Sequence, residues 1–441
     1  MLFHTGQFAL FFTAVLLFAR LAPGVRARNA MLAAANLAFA ACFSLSAALL
    51  VALLATIAYA TAALASRRGP SKGPVLAFGL TTLLAGIGVA RLLEGSGRLE
   101  STVMPLSFSF VAFPLMAFVL DVAAGKLPLP PLLNFAAFAG FFPGVSSGPV
   151  VRPTELLPQI ERLPAADPLR TRESVERFTF GLFKKVVIAD RLGIFYNELD
   201  AGARGGAPLL YLAMFYVYAL EVYFDFSGYT DMARATARAL GFEIPENFRQ
   251  PWRAESPIDW WRRWHISLAT FLRDYVHYPL FFRTKNLFLC TSVTFMLNGI
   301  WHGIGLNYLF LGLYWSAAVS GYLAIRPWWD TRLPRTARIL LTLQIAAASF
   351  IFFLPDGMKM FTLAISASLP KGGELFHALQ NAIDTRNLLL AGGGIVVYVA
   401  AQRALRRDSW PSYVPTIYAL WLFLFSCGLF STKANFIYSQ F

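Results

Sequence analysis

Phe-Asp-Phe-Ser-Gly-Tyr-Thr-Asp-Met-Ala (224–233), Pro-Glu-Asn-Phe-Arg-Gln-Pro-Trp (245–252), Asp-Trp-Trp-Arg-Arg-Trp-His-Ile-Ser-Leu (259–268) and Asn-Gly-Ile-Trp-His-Gly (298–303) follow one another in the stretch from Phe224 to Ser316. Carboxylates, amides, arginines and two histidines here interrupt a strongly apolar background. Inside a bilayer such groups are costly unless they face a partner or a wet interior. The stretch therefore marks a polar site enclosed within a membrane protein.

The rest of the chain agrees. Of its 441 residues 57% are hydrophobic and only 14% are charged, and the mean hydropathy is +0.55. Soluble domains carry about a quarter charged residues. The apolar runs are continuous rather than alternating, which excludes a β-barrel and leaves an all-α polytopic membrane protein. A net charge of +14 could point to nucleic acid, but the Lys and Arg residues lie mostly in short loops between apolar runs. That is the charge pattern of cytoplasmic membrane-protein loops, so no nucleic-acid partner is expected. Cys42, Cys290 and Cys427 sit in apolar surroundings without metal-ligand spacing. They read as small buried hydrophobes, with neither a disulfide framework nor a metal site. The N-terminus lacks a basic leader and an A-x-A cleavage site, so its first apolar run reads as a retained helix.

A spanning helix needs roughly 20 mostly apolar residues. Residues 7–22, 29–65 (long enough for two helices), 73–90 and 103–120 qualify in whole or part. The run 130–151 is broken by Pro143-Gly144 and Gly148-Pro149, which predicts a re-entrant segment whose freed backbone is covered by protein or water. Residues 160–206 have mixed charge and predict a cytoplasmic, partly amphipathic stretch in which Lys184 and Lys185 snorkel to head groups. Later candidates are 209–226, 287–300, 307–325, 337–354, 387–401 and 414–430, giving about ten or eleven full or partial passes. No internal repeat of transporter type is evident.

Within the central stretch, Glu221 and Asp225 share one helix face. Pairing with Arg262 or Arg263, merely to hold helices together, is the plainer explanation for both. Ser256-Pro257-Ile258-Asp259 is a helix start, and the helix should run to about Val276, before Pro279, with His265 on the side of Trp261 and Leu268. A hydrogen-bonded interfacial histidine is the bland reading of His265. His302 follows Asn298 by one helical turn, between Gly299 and Gly303, which admit a close neighbour. A neutral imidazole there can take a proton from a hydroxyl that attacks an acyl carbonyl. A buried histidine satisfied by Asn298 is the alternative. His4, His277 and His377 have no such company and are taken as structural.

With Ser-Gly-Pro-Val-Val-Arg-Pro (147–153) and Gly-Leu-Phe-Lys-Lys-Val-Val-Ile-Ala-Asp (181–190) added to the motifs above, the chain resembles the membrane-bound O-acyltransferase (MBOAT) family over nearly its whole length. Within it the chain resembles the bacterial branch that includes the alginate O-acetylation and teichoic acid D-alanylation membrane proteins. The resemblance implies one membrane domain over 1–441 in a bacterial inner membrane: N-terminal helices to 130, a catalytic core over 131–325, and C-terminal helices and tail over 326–441. These helices ring a thinned centre with a funnel or tunnel.

The resemblance places the family's nearly invariant histidine on His302 and its second polar position on His265, with Asn298 assisting. It implies no tightly bound cofactor. Acetyl-CoA or an acylated carrier protein serves as donor, with Arg152, Lys184 and Lys185 set against donor phosphates. The partners it implies are membrane lipid, an acyl carrier protein, an extracytoplasmic acyltransferase and an envelope polysaccharide acceptor. Some motifs look like the O-acetylation proteins and others like the D-alanylation proteins, so acetyl transfer is favoured and D-alanyl transfer stays open, as does a non-catalytic transporter or scaffold. The ending Phe-Ile-Tyr-Ser-Gln-Phe (436–441) resembles a tail motif of this branch, which makes Tyr438 either a transient acyl carrier or a docking residue.

Overall fold

The structure, a computed structural model, describes residues 2–67, 72–95, 104–145, 148–162, 168–205, 207–303, 305–354, 356–366, 385–405 and 413–426. Their regular elements are all helical, with no strand among the described residues. Leu45–Arg67, Leu306–Arg332 and Arg335–Phe353 are long and apolar enough to cross a bilayer, and shorter apolar helices such as Gly6–Leu21 and Leu287–His302 accompany them. Leu10, Phe18, Phe78, Leu132, Phe282, Leu306 and Leu389 are each 63% or more exposed. Apolar surface on this scale is stable against lipid, not water. The protein is an all-α polytopic membrane protein. Cys290 is buried as expected, but Cys42, just past the end of the Val25–Ala41 helix, is exposed.

Two compact units make up the chain. The first comprises residues 1–181 and 229–246. In it Leu45–Arg67, Gly73–Gly95 and Met104–Ala123 pack on one another, and Val25–Ala41 packs on Leu132–Phe138. The broken run after Pro130 forms two short helices, Leu132–Phe138 and Phe142–Val145. Asn36, 2% exposed, covers the interruption: Nδ2 donates to the carbonyls of Ala137 (3.0 Å) and Ala139 (3.3 Å), and Oδ1 accepts from the Phe142 N–H (2.9 Å). One side chain thus supplies the partners that non-helical backbone needs away from water. Arg177 ties its helix to Glu246 and Asp231, each at 2.7 Å.

Among the described residues the second unit comprises 182–228 and those from 247 to 426. Leu287–His302 and Leu306–Arg332 form its principal helix pair. The pair closes where glycines meet: a Cβ on Gly299 would lie 2.8 Å from the Gly312 N and 3.0 Å from its Cα. Gly299 therefore serves approach of backbone. The Leu210–Ala239 helix outruns the expected span, because the Phe-Asp-Phe-Ser-Gly-Tyr motif continues it. The Gly357–Ser366 helix was not anticipated.

The segment after Ser256 departs most from expectation. Its cap is as read: Ser256 Oγ accepts from the Asp259 N–H at 3.1 Å, and Asp259 Oδ2 accepts from the Glu255 N–H at 3.1 Å. The helix nevertheless ends at Trp261, resumes over Ile266–Leu272, widens into a π-turn at Arg273–His277 and continues past Pro279 as Tyr278–Thr284. At the break His265 adopts φ 44°, ψ 48°, so it does not lie on one helix with Trp261 and Leu268.

Candidate active site

His265, Asn298, His302, Lys184 and Lys185 all fall in the second unit. His302 closes the Leu287–His302 helix, where Gly303 ends it with an extended backbone. The side chain is 5% exposed. Its ring centroid lies 4.4 Å from that of Trp301, 4.8 Å from Phe353 and 6.2 Å from Tyr308. A helix C-terminus favours positive charge, so an imidazole that takes up a proton here is stabilised by the backbone it terminates.

His265, 2% exposed, meets the Phe226 ring edge-on at 4.8 Å and the Trp301 indole at 5.8 Å. The two histidines therefore approach one indole. A left-handed conformation costs a residue with a Cβ roughly 1–3 kcal/mol and persists only where the surroundings impose it. The imposing group is the Pro245–Gln250 segment. Asn247 O accepts from the Ile266 N–H at 3.0 Å, and Arg263 O accepts from the Arg249 N–H at 2.9 Å. Outside the spanning helices as it is, His265 is held well below the ordinary histidine range by burial, then by the charge of His302, and is neutral at pH 7.

Asn298 is 2% exposed, and its Oδ1 has no hydrogen-bond partner among the described residues. It therefore does not satisfy His302 as a simple buried pair would. Instead it lines a cavity of about 490 Å³ with Trp261, Arg262, Arg273, His277 and Thr294. The cavity has a cationic part in Arg262 and Arg273, with His277 beside them, and an aromatic part in which the Trp261 and Phe295 rings lie 5.3 Å apart.

The lysine pair has a different setting from the one expected. Lys185 is 2% exposed, and its Nζ lies 2.7 Å from Asp190 Oδ1 and 2.8 Å from Asp225 Oδ1. Lys184, 5% exposed, stands 5.2 Å over the Tyr398 ring. Neither snorkels. The partner of Asp225 is Lys185 rather than Arg262 or Arg263, and Arg263 pairs with Asp259 at 2.9 Å. Glu221, one turn before Asp225 and 7% exposed, packs its carboxylate on Gly193. Arg152 lies in the first unit, at the N-cap of Pro153–Ile160, where its charge acts on Glu155. Tyr438, Cys427 and His377 lie outside the described residues. Asn247, Trp301 and Arg273 were not singled out from the sequence, and His277 was taken as structural. Only the Pro-Glu-Asn-Phe and Trp-His-Gly motifs hinted at the first two.

A helical membrane protein with two buried histidines converging on one indole defines a class of enclosed site. Residues 94–364 match the MBOAT, membrane-bound O-acyltransferase family, and the chain belongs to it. It is 34% identical over 313 residues to the probable alginate O-acetylase AlgI of Pseudomonas aeruginosa, covering 66% of this chain and 58% of that protein. It is 31% identical over 268 residues to the peptidoglycan O-acetyltransferase of Helicobacter pylori, covering 58% of this chain and 50% of that protein. It is 28% identical over 273 residues to the teichoic acid D-alanyltransferase of Bacillus subtilis, covering 56% and 68%. The chain spans about half the length of the alginate O-acetylases it matches, from 42% to 60%.

Proposed function

We propose that the protein is an O-acyltransferase that moves an acetyl group from a cytoplasmic thioester donor, acetyl-CoA or an acylated carrier protein, towards hydroxyls of a cell-envelope polysaccharide. The observation that carries this reading is the approach of His265 and His302 to Trp301 in a chain whose relatives include O-acetylases. His302 acts as general base. A ring nitrogen takes the proton of the accepting hydroxyl as its oxygen bonds to the thioester carbonyl carbon. The C–S bond then breaks, and the departing thiolate takes that proton and leaves as a thiol. Asn298, with an amide donor on the cavity wall, suits the carbonyl oxygen as it gains charge.

The cavity lined by Arg262 and Arg273 offers the donor its cationic surroundings. Lys185, enclosed by two carboxylates, supports the framework rather than the donor. The setting is the bacterial inner membrane, and an extracytoplasmic acyltransferase completes delivery, with Tyr438 as the transient carrier. D-alanyl transfer from a carrier protein is the second reading, favoured by the teichoic acid D-alanyltransferase relatives.

Purified protein incubated separately with labelled acetyl-CoA and with labelled D-alanyl carrier protein distinguishes the two readings by which donor is consumed. His302→Ala is expected to abolish transfer with unchanged abundance, and retained transfer rejects the base assignment. Full glycan acylation in Tyr438→Phe rejects the carrier.

A further inference from the structure

Asn247 is fully buried, at 0% exposed, and its side-chain oxygen gathers three donors. Oδ1 accepts from the Ser267 N–H at 3.1 Å and from Ser267 Oγ at 2.7 Å, and it lies 3.3 Å from His265 Nδ1. The first of these bonds decides the chemistry of the others. A backbone N–H can only donate, so the atom of Asn247 that faces Ser267 must be the carbonyl oxygen. An amide oxygen can only accept, so His265 Nδ1 must bring the hydrogen. A neutral imidazole has one N–H, and the proton on Nδ1 leaves the lone pair on Nε2. The same residue also holds the Ile266 N–H through its own carbonyl, so it sets the backbone turn and the ring together.

We propose that Asn247 is a positioning residue that fixes His265 in the Nδ1–H tautomer and thereby makes Nε2 the proton-accepting atom of the second histidine. Its importance for turnover rests on the reading that His265 works beside His302. The consequence is a division of labour. In the resting site Nε2 of His265 receives a hydrogen bond from a hydroxyl or a neighbouring N–H, and it does not donate one to a developing oxyanion.

The test is 15N NMR of histidine-labelled protein in detergent, with the His265 signals assigned by their loss in His265→Gln. The wild-type protein is expected to show a protonated Nδ1 and an imine-type Nε2. Asn247→Asp keeps an acceptor facing Nδ1 and is expected to keep that tautomer. Asn247→Leu is expected to lose it, with kcat reduced at least tenfold and the KM for the thioester donor unchanged. Protonated Nε2 in the wild-type protein, or an unaltered tautomer in Asn247→Leu, overturns the inference whatever the activity. A lost tautomer with unchanged kcat instead removes His265 from the reaction and leaves the control by Asn247 standing.

Discussion

His265 and Trp301 approach to 5.8 Å between ring centroids, and Trp301 is the residue that immediately precedes His302. His265 reaches the indole from a left-handed turn between two short helices, and His302 reaches it from a helix end. The indole thus spaces two groups that no local sequence pattern joins.

Removing that spacer should loosen both rings. Trp301→Ala is expected to lower acyl transfer by about a hundredfold, the order of loss that a misplacement of roughly 1 Å brings. Trp301→Phe, which keeps an aromatic face, should keep most of the activity. Initial rates at saturating donor compare the two, and equal rates in Ala and Phe variants reject the spacer role.

Asn298 carries a stability cost for its function. Its buried Oδ1 has no hydrogen-bond partner among the described residues, and leaving such an atom unmade costs about 1–3 kcal/mol. Asn298→Leu, similar in volume, is expected to raise the melting temperature in detergent while reducing turnover. A variant that is less stable and fully active rejects the assignment to the cavity wall.

Lys185 balances Asp190 and Asp225 out of water. Lys185→Met leaves two enclosed carboxylates unmatched and is expected to cost about 3–5 kcal/mol. Adding Asp190→Asn and Asp225→Asn should recover most of the loss, with the KM for the donor at the wild-type value. A donor KM that stays high in the triple variant assigns Lys185 to donor binding instead.

Acid should weaken the fold through His265. Its folded-state pKa is lowered by burial and by His302, whereas the unfolded chain titrates near the usual value of about 6.5. Below that value the unfolded chain takes up a proton that the folded protein refuses, so stability falls with falling pH and levels off above about pH 7. Thermal unfolding of wild-type protein across this range should slope, and His265→Gln should flatten the slope. Parallel curves reject this source.

Much of the fold was legible because its signals are local. Apolar runs of helical length and the Ser256 cap each depend on neighbouring residues, and each has its counterpart in the helices observed, whereas the run after Pro130 breaks between Phe138 and Phe142 and Pro143-Gly144 sit inside the second short helix. The exceptions have a common cause. The helix after Ser256 reads as continuous, yet the Ile266 and Ser267 N–H groups turn to Asn247, which no pattern of spacing announces. Lys185 reads as a head-group lysine because the sequence does not reveal which carboxylates face it.

An all-α membrane protein, the position of its polar stretch and the histidines within it follow from the residues alone, because hydropathy, capping and residue chemistry are properties of the local chain. Only the folded arrangement shows that His265 lies in a strained turn held by Asn247, that Asp225 answers Lys185, and that Asn298 lines a cavity. These are pairings between segments, and burial sets their energies: away from water an amide oxygen or an ammonium must find its partner wherever the fold brings one.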